Sequence, residues 1–302
     1  MTPAPGTPHP VDPTPLVSLC STNYNTAPVT RESMDSVLRH IADLEFEIVV
    51  VDNFSEDGSY QALAAYAASV PIRLVQRRCS RGVGRETAFE LSRGDYVVTF
   101  DLDTVYNADW GRLLRWAIRN RIEFGLSSVY SQVYPRSVLK AVGGWRDFQY
   151  WEDVDLWVRL ANKTLYKTYP MVCGDNRKGV PGRGRPEKAI RMYARIRDKI
   201  AVADWIPFRL YAGAYLVLLR QPKFLYHLGI FLPAYVTGRV KRWQMCRDSY
   251  DASILQDPAL EIDCGLVPTN ALLPARTPYD STEGCEEALA REDVRFLPGM
   301  YD

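Results

Sequence analysis

The amino-terminal half of the chain alternates between short apolar runs and longer stretches in which apolar residues recur at every third or fourth position. Four runs have the length and the flanking turn residues of buried strands: residues 16–20, 46–51, 72–75 and 97–100. Three stretches between them have the spacing of one helix face: residues 34–41, 60–67 and 84–91. This order predicts an α/β fold with a mostly parallel sheet and helices on both faces.

Polar loops follow three of these predicted strands. Each begins where an apolar run stops, at residues 22–25, 52–55 and 101–103. The carboxyl ends of parallel strands lie at one edge of the sheet, which is where α/β proteins bind ligands. We therefore expect the three loops to face one shared site.

In the third loop, the strand VVTF is followed by two aspartates on alternate positions, Asp101 and Asp103. One interpretation is a turn after an edge strand, where aspartate is common. The other is a site for a divalent cation, or for phosphates held through one, because hard cations prefer carboxylate oxygens. The convergence of three polar loops favours the second interpretation.

A second acidic group follows the sequence GGWRDF at residues 143–148. Trp151 precedes Glu152, Asp153 and Asp155 at the predicted start of a helix. Acidic residues in that position usually cap the helix or stabilise its dipole, and we interpret Asp155 in this way. Glu152 and Asp153 follow two aromatic residues, and a carboxylate beside apolar rings can have a raised pKa and act as a general base.

Charge and cysteine content limit the class of protein. The 302 residues include 37 Lys and Arg against 36 Asp and Glu, so no overall positive charge favours nucleic-acid binding. The six cysteines have no C-x-x-C spacing, which predicts free thiols in a reducing compartment. Residues 1–15 are rich in proline and lack the regions of a signal peptide, so we expect a flexible tail. We therefore expect a cytoplasmic protein, or one on the cytoplasmic face of a membrane.

The carboxy-terminal part has a different composition. Residues 177–199 are strongly basic and predict a solvated surface or, alternatively, a flap over a diphosphate. Apolar runs at 205–219 and 224–236 are each shorter than the roughly 20 residues that a membrane-spanning helix needs. Their flanking basic and aromatic residues predict helices in a membrane interface, or alternatively a helical hairpin packed on the α/β domain.

These patterns divide the chain into four parts. We predict a tail at 1–15, an α/β domain at 16–200, a hydrophobic, membrane-associating helical segment at 201–246 and a tail at 247–302. The last part is acidic, contains proline and has no sustained periodicity, so we expect weak order there.

Three stretches together resemble glycosyltransferase family 2: VVVDNFSEDGS, RGVGRETAFELSRGDYVVTFDLD and GGW…WEDVDLWVRL. The resemblance covers residues 16–165. It implies the GT-A fold and an inverting transfer of a sugar from a nucleotide-diphosphate sugar, usually with Mg²⁺ or Mn²⁺. The acceptor hydroxyl would belong to a glycan or to a lipid-linked molecule.

The resemblance implies roles for four residues on the donor side. Asp52 matches the aspartate that takes a base N–H, which favours UDP over GDP. Thr22 and Tyr24 match the loop that flanks the nucleotide. Arg85 matches an arginine near the nucleotide and its phosphates.

It also implies roles at the reaction centre. Asp101 and Asp103 match the D-x-D motif, which contacts the ribose and the metal ion. Asp153 matches the general base that acts on the acceptor hydroxyl, and Trp151 and Glu152 would lie on the acceptor side.

The chain departs from the family pattern in two places. Asn53 stands where a second aspartate is usual, and the segment from Gly82 to Arg85 is shorter than the common pattern. Three alternatives remain at this stage. The sequence FDLDTV also fits a haloacid dehalogenase-like phosphatase, Gly82-Val83-Gly84 fits a nucleotide-binding dehydrogenase, and a non-catalytic sugar-nucleotide-binding protein could carry the same motifs.

Overall fold

A computed structural model of the chain describes residues 15–177, 185–202 and 224–245. The strands are β1 (Val17–Asn23), β2 (Phe46–Asp52), β3 (Ile72–Gln76), β4 (Tyr96–Thr99), β5 (Thr104–Tyr106), β6 (Gly125–Val129), β7 (Ser131–Pro135), β8 (Tyr166–Val172) and β9 (Gly174–Asn176). The helices are α1 (Ala27–Ile41), α2 (Ser59–Ala64), α3 (Arg81–Leu91), α4 (Ala108–Arg119), α5 (Arg136–Val142), α6 (Glu152–Ala161), α7 (Arg185–Val202) and α8 (Phe224–Met245). A short 3₁₀ helix, Ala65–Ala68, continues α2.

Seven strands form the main sheet in the order β3-β2-β1-β4-β7-β6-β8. The first four are mutually parallel, β7 is antiparallel to both of its neighbours, and β8 is parallel to β6. Strands β5 and β9 pair separately as a small antiparallel sheet. The predicted α/β fold with a mostly parallel sheet is confirmed, and β7 adds an antiparallel strand that the periodicity did not predict.

Both faces of the main sheet are covered by helices, as predicted. In β2, Ile48 and Val50 pack in the cluster that contains α1 and α4, whereas Val49 and Val51 pack in the cluster that contains α3, α5 and α6. Successive side chains of a strand point to opposite faces, so a strand buried on both sides needs an unbroken apolar run. The run FEIVVV meets that requirement.

The ends of β1 and β2 differ slightly from the sequence prediction. β1 continues through Thr22 and Asn23, which were expected in a loop, because the parallel register with β2 runs on to the pair Asn23 and Asp52. The polar side chains are satisfied there, since Nδ2 of Asn23 donates to Oδ1 of Asp52 at 2.7 Å. β1 therefore ends three residues later than predicted, and β2 ends one residue later.

Helices α7 and α8 pack against each other and against the loop that precedes α6. Ala201 and Val202 share an apolar cluster with Phe148 and Val158. Close packing of the two helices requires Gly238, since a Cβ there would lie 2.6 Å from the Arg197 carbonyl oxygen. Within the described ranges, no helix is both long and apolar enough to cross a membrane. The predictions for residues 1–14, 178–184, 203–223 and 246–302 lie outside the described residues.

Candidate active site

Asp101 and Asp103 lie directly after β4, separated by the buried Leu102. The side chain of Asp101 is 46% exposed. Its backbone N–H donates to the hydroxyl of Tyr106 on β5 at 2.8 Å. Residues 101–104 form a turn, in which the Thr104 N–H donates to the Asp101 carbonyl at 3.2 Å. Leu102 is buried in this turn, whereas both aspartates keep partly exposed side chains at the carboxyl end of the sheet.

Strand β9 holds Asp103 in place. Nδ2 of Asn176 donates to Oδ1 of Asp103 at 2.9 Å, and the backbone N–H of Arg177 donates to the Asp103 carbonyl at 2.7 Å. Burial raises the pKa of Asp103 above its ordinary value, and the neighbouring Asp101 raises it further.

Asp101 raises the pKa of Asp103, and a divalent cation between the two carboxylates would offset this repulsion. Within the described residues, no three His, Cys, Asp or Glu side chains form a group that could hold a metal ion.

Helix α3 approaches this edge closely because of two glycines. A Cβ on Gly82 would collide with the carbonyl oxygen of Arg146, and one on Gly84 would lie 2.7 Å from Cγ2 of Thr22. The Gly82-Val83-Gly84 segment, which also fits a dinucleotide-binding loop, thus allows α3 to pack closely against its neighbours. It brings Arg85 over the ends of the strands.

Arg85 joins three carboxylates, although its own side chain is only 6% exposed. Nη1 lies 2.9 Å from Oδ1 of Asp153, Nη2 lies 3.3 Å from Oδ1 of Asp101, and Nε lies 3.5 Å from Oε1 of Glu152. Burial alone would lower the pKa of Arg85, but the three carboxylates raise it above its ordinary value. The guanidinium is therefore a fixed positive charge between the two acidic motifs.

Glu152 is enclosed at the start of α6, with a 3% exposed side chain. Besides Arg85, it contacts Arg81, whose Nη1 lies 3.6 Å from Oε1. Burial raises the pKa of Glu152 above its ordinary value, Arg81 and Arg85 lower it, and Asp153 raises it. Glu152 is thus held by the two arginines, while Asp153 keeps a side chain that is 20% exposed.

One oxygen of Asp153 has two donors. In addition to Arg85, Nε1 of Trp145 lies 3.3 Å from Oδ1 of Asp153. The Trp145 backbone is fixed in turn, because its N–H donates to the Glu86 carboxylate at 2.6 Å. Gly144 adopts a φ of 61° next to that carboxylate, where a Cβ would collide with it. The sequence GGW therefore places an indole N–H against Asp153.

Asp52, which the resemblance matches to the aspartate that takes a base N–H, is held by hydrogen bonds at the carboxyl ends of the strands. Its side chain is fully buried, and Oδ1 accepts hydrogen bonds from Asn23 at 2.7 Å and from the Ser55 hydroxyl at 2.6 Å. Oδ2 accepts from the Ser55 N–H at 3.1 Å and from Gln76 at 3.0 Å. Asp52 therefore joins the ends of three strands. The half-buried Asn53 follows it at the surface.

The remaining predicted residues lie around the same edge. Thr22 is half-buried beside α3, Tyr24 is 47% exposed, and Trp151 lies with the Nζ atom of Lys199 5.4 Å from its ring centroid. The structure thus brings together the ends of β1 and β4, α3 and the start of α6. Sequence reasoning gave no role to four residues that hold these groups: Arg81, Tyr106, Trp145 and Asn176.

The family model described as "Glycosyl transferase family 2" matches residues 18–177. The chain belongs to this family. Membership in this family excludes the haloacid dehalogenase-like phosphatase and the nucleotide-binding dehydrogenase as interpretations of the motifs. Within the family, an uncharacterized glycosyltransferase of Bacillus subtilis (strain 168), YfnE, is 33% identical over 88 residues. That alignment covers 28% of this chain and only 22% of the length of YfnE.

Two solved structures are similar in fold. S. aureus TarS 1-349 in complex with UDP-GlcNAc is 16% identical, with a TM-score of 0.50 over 76% of this chain and 88% of that chain. The glucosyl-3-phosphoglycerate synthase from Mycobacterium tuberculosis, in complex with Mn²⁺, UDP and phosphoglyceric acid, is 15% identical, with a TM-score of 0.50 over 62% of this chain and 77% of that chain. The GT-A fold that the resemblance implied is confirmed.

Proposed function

We propose that this family 2 protein transfers a sugar, with inversion, from a nucleotide-diphosphate sugar to an acceptor hydroxyl. The observation that carries the proposal is the bridge made by Arg85, which lies 3.3 Å from Asp101 and 2.9 Å from Asp153. One buried cation thus joins a half-exposed carboxylate after β4, Asp101, to a carboxylate at the start of α6, Asp153, whose side chain is 20% exposed. In an inverting transfer the leaving group and the attacking hydroxyl occupy opposite faces of the sugar. Asp101 would serve the side of the leaving group and Asp153 the side of the hydroxyl.

Asp101 and Asp103 are the residues that would hold Mn²⁺ or Mg²⁺ on the donor side. When bound, the cation supplies positive charge that offsets the charge developing on the leaving diphosphate. Leu102 in the core, Tyr106 on the Asp101 backbone and Asn176 on the Asp103 side chain fix the two carboxylates before substrate arrives. Arg85 would add a second positive charge near the same phosphates.

Asp153 is the residue that would remove the proton from the acceptor hydroxyl. Its Oδ1 atom accepts hydrogen bonds from Arg85 and Trp145, whereas no hydrogen bond from the described residues reaches Oδ2. One oxygen thus orients the carboxylate and the other remains available to the hydroxyl. A positioned base of this kind contributes about 10² to 10⁴ in rate. Glu152 and Trp151 would shape the acceptor side next to it.

The nucleotide is proposed from the match of Asp52 to the aspartate that takes a base N–H and from the neighbouring structures. TarS was solved with UDP-GlcNAc and the glucosyl-3-phosphoglycerate synthase with UDP and Mn²⁺. These complexes support a UDP-sugar donor and a divalent cation for this chain. Thr22 and Tyr24, at the end of β1, are the residues placed to flank that nucleotide.

We further propose that α8 rests on a membrane surface, where a lipid-linked acceptor would be found. Four apolar residues of α8 are exposed at helical spacing: Leu232, Val236, Val240 and Trp243. They form one face of the helix, with basic residues such as Arg239 nearby. An apolar face bordered by positive charge suits an interface with anionic lipid.

A donor screen tests the proposed reaction. UDP-glucose, UDP-GlcNAc and GDP-mannose would each be added with Mn²⁺, and thermal unfolding and slow hydrolysis would be followed. A ligand at about 100 times its dissociation constant stabilises a protein by roughly 2.7 kcal/mol, so the true donor should raise the Tm clearly. Proton NMR during hydrolysis should show the β-anomer of the free sugar first, since these donors carry α-linked sugars. Initial release of the α-anomer would contradict inversion, and no Mn²⁺-dependent binding of any donor would contradict the proposal itself.

A further inference from the structure

A buried carboxylate outside the proposed reaction centre links the carboxy-terminal helices to the loop that precedes α6. Asp198 on α7 is fully buried. Its Oδ2 atom accepts hydrogen bonds from the backbone N–H groups of Gln149 at 2.8 Å and Tyr150 at 3.1 Å. Its Oδ1 atom accepts from Nε of Arg197 at 2.8 Å and from Nζ of Lys241 on α8 at 3.0 Å. One carboxylate thus holds a loop with one oxygen and two helices with the other.

The loop held by Asp198 leads directly to Glu152 and Asp153. Its last residue, Trp151, has a φ of 66°, in the left-handed region that non-glycine residues rarely adopt. No side chain caps α6 at this position. Such a backbone persists only when surrounding contacts fix it, and the two hydrogen bonds to Asp198 fix the residues immediately before it.

Further contacts from α7 and α8 act on the same loop. Nζ of Lys241 lies 4.3 Å from the ring centroid of Phe148, and Nζ of Lys199 lies 5.4 Å from that of Trp151. Lys241 therefore contacts both the loop and the carboxylate that holds it. Basic residues of the carboxy-terminal helices thus contact the loop that leads to Asp153.

We propose that Asp198 is a positioning residue, which fixes the loop at 148–151 so that Asp153 keeps its place against the acceptor. The proposal rests on the proposed function, because it concerns the acceptor side of that same site. It gives α7 and α8 a role in catalysis that is separate from membrane association. It also explains why a charged group is buried between two helices and a loop, where an apolar residue would pack more simply.

The variant that tests this role is Asp198→Asn. The carboxylate of Asp198 uses one oxygen for the loop N–H groups and the other for Arg197 and Lys241. Asparagine has only one acceptor oxygen for both sets of donors, so we expect weaker hydrogen bonds to the loop and a more mobile loop. In native-state hydrogen exchange, the amides of Gln149 and Tyr150 should exchange at least about tenfold faster, whereas those at 101–104 should not change. The substrate for the activity measurement is the sugar nucleotide that the wild-type protein hydrolyses fastest with Mn²⁺, chosen from UDP-glucose, UDP-GlcNAc and GDP-mannose. The kcat of the variant for this hydrolysis should fall by about tenfold or more. The Kd for the matching nucleoside diphosphate should stay within about twofold of the wild-type value.

Two further proteins separate positioning from loss of stability. The double variant Asp198→Asn with Lys241→Met also removes the partly buried Lys241 cation that loses its carboxylate partner, so thermal stability should recover while kcat stays low. The matched control is Glu47→Gln, because Glu47 is also a buried carboxylate that accepts from a backbone N–H and from an arginine, but lies at the opposite edge of the sheet. It should lower stability and leave kcat unchanged.

The outcomes are distinct. Recovery of kcat together with stability in the double variant, or unchanged exchange of the Gln149 and Tyr150 amides in Asp198→Asn, would overturn the positioning role. A wild-type protein that hydrolyses none of the three sugars would contradict the proposed function, and the exchange measurement would then still decide whether Asp198 holds the loop.

Discussion

The Nη1 atom of Arg85 lies 2.9 Å from Oδ1 of Asp153, and Nη2 of the same guanidinium lies 3.3 Å from Oδ1 of Asp101. These contacts connect three elements: the middle of α3, the start of α6 and the end of β4. Nε of Arg85 also lies 3.5 Å from the buried Glu152, and breaking a buried ion pair by removing one partner destabilises a protein by about 3–5 kcal/mol. Arg85 is therefore both a structural centre of the site and a fixed positive charge beside Asp101.

The hydrogen bond from Trp145 to Asp153 can be removed while an aromatic ring stays at this position. Trp145→Phe keeps an aromatic ring in the cluster but deletes the Nε1–H donor. Hydrogen bonds to charged groups contribute about 1.5–3 kcal/mol, so we expect turnover in donor hydrolysis to fall by about tenfold or more while nucleotide affinity is kept.

Trp110→Phe is the matched control for this change. Trp110 is also buried and donates its Nε1–H to Ser131 at 2.9 Å, and its ring centroid lies 4.5 Å from that of Tyr106. That variant should unfold at a lower temperature but lose less turnover than Trp145→Phe, because the hydrogen bond from Trp145 to Asp153 stays intact. Equal turnover in the two variants would contradict the role of the Trp145 indole.

Glu152 should make stability depend on pH. Burial raises its pKa above the ordinary 4.5, against the opposing effect of Arg81 and Arg85 and with the added effect of Asp153. Between the ordinary and the raised pKa the folded protein binds more protons than the unfolded chain, so this contribution to the free energy of unfolding falls as pH rises. Glu152→Gln cannot titrate.

The measurement is the Tm of wild type minus the Tm of Glu152→Gln, followed from about pH 4.5 to about pH 8. This difference should decrease as the pH rises. A difference that is constant, or that increases with pH, would show that Glu152 is not destabilised in its charged form.

Sequence patterns predicted the parts of this site that depend on local chain chemistry. The run before Asp101 is apolar enough to be a buried strand, and its two aspartates follow at its carboxyl end as expected. The buried state of Asp52 could not be read from the loop sequence, because it depends on Asn23 and Gln76 on neighbouring strands. Parallel strands bring such partners together from distant positions in the sequence. The register between the strands, which decides these pairs, cannot be read from the residues of one loop.

The supporting residues were missed for a similar reason. Strand β9 is three residues long and reads GDN, which has neither apolar alternation nor β-branched residues. Its pairing with β5 alone places Asn176 against Asp103. The contact of Trp145 with Asp153 depends on the left-handed Gly144, so only the turn residue, and not the direction of the indole, is visible in the sequence.

Asp103 provides a test of the metal site. Asp103→Ala removes one of the two carboxylates, so a UDP sugar with Mn²⁺ should no longer raise the Tm, and transfer should nearly disappear. Asp175→Ala is a control on the adjacent strand, since this aspartate is 70% exposed and pairs with Arg177. Wild-type rates for Asp103→Ala at saturating Mn²⁺ would contradict the assignment.

The exposed face of α8 predicts association with anionic membranes. The protein should sediment with vesicles that contain phosphatidylglycerol at low salt and be released at high salt, because juxtamembrane basic residues contribute about 1 kcal/mol each. Replacing Leu232, Val236 and Val240 together with serine should abolish sedimentation. Ile190→Ser is the control, since Ile190 is 67% exposed on α7. A wild-type protein that stays in solution at low salt would contradict the membrane proposal.

The most direct test of the account is Asp153→Asn, because Asp153 is proposed to act on the acceptor and not on the donor. Asparagine keeps an oxygen for Trp145 and Arg85 but cannot accept a proton. Turnover of the preferred nucleotide sugar and its Kd would be measured in the same preparation, with Mn²⁺ present. We expect turnover to fall by about 10² to 10⁴, with the Kd unchanged within a few-fold, since a base acts mainly in the transition state. Retained turnover, or losses in turnover and affinity of equal size, would contradict the assignment of Asp153 as the base.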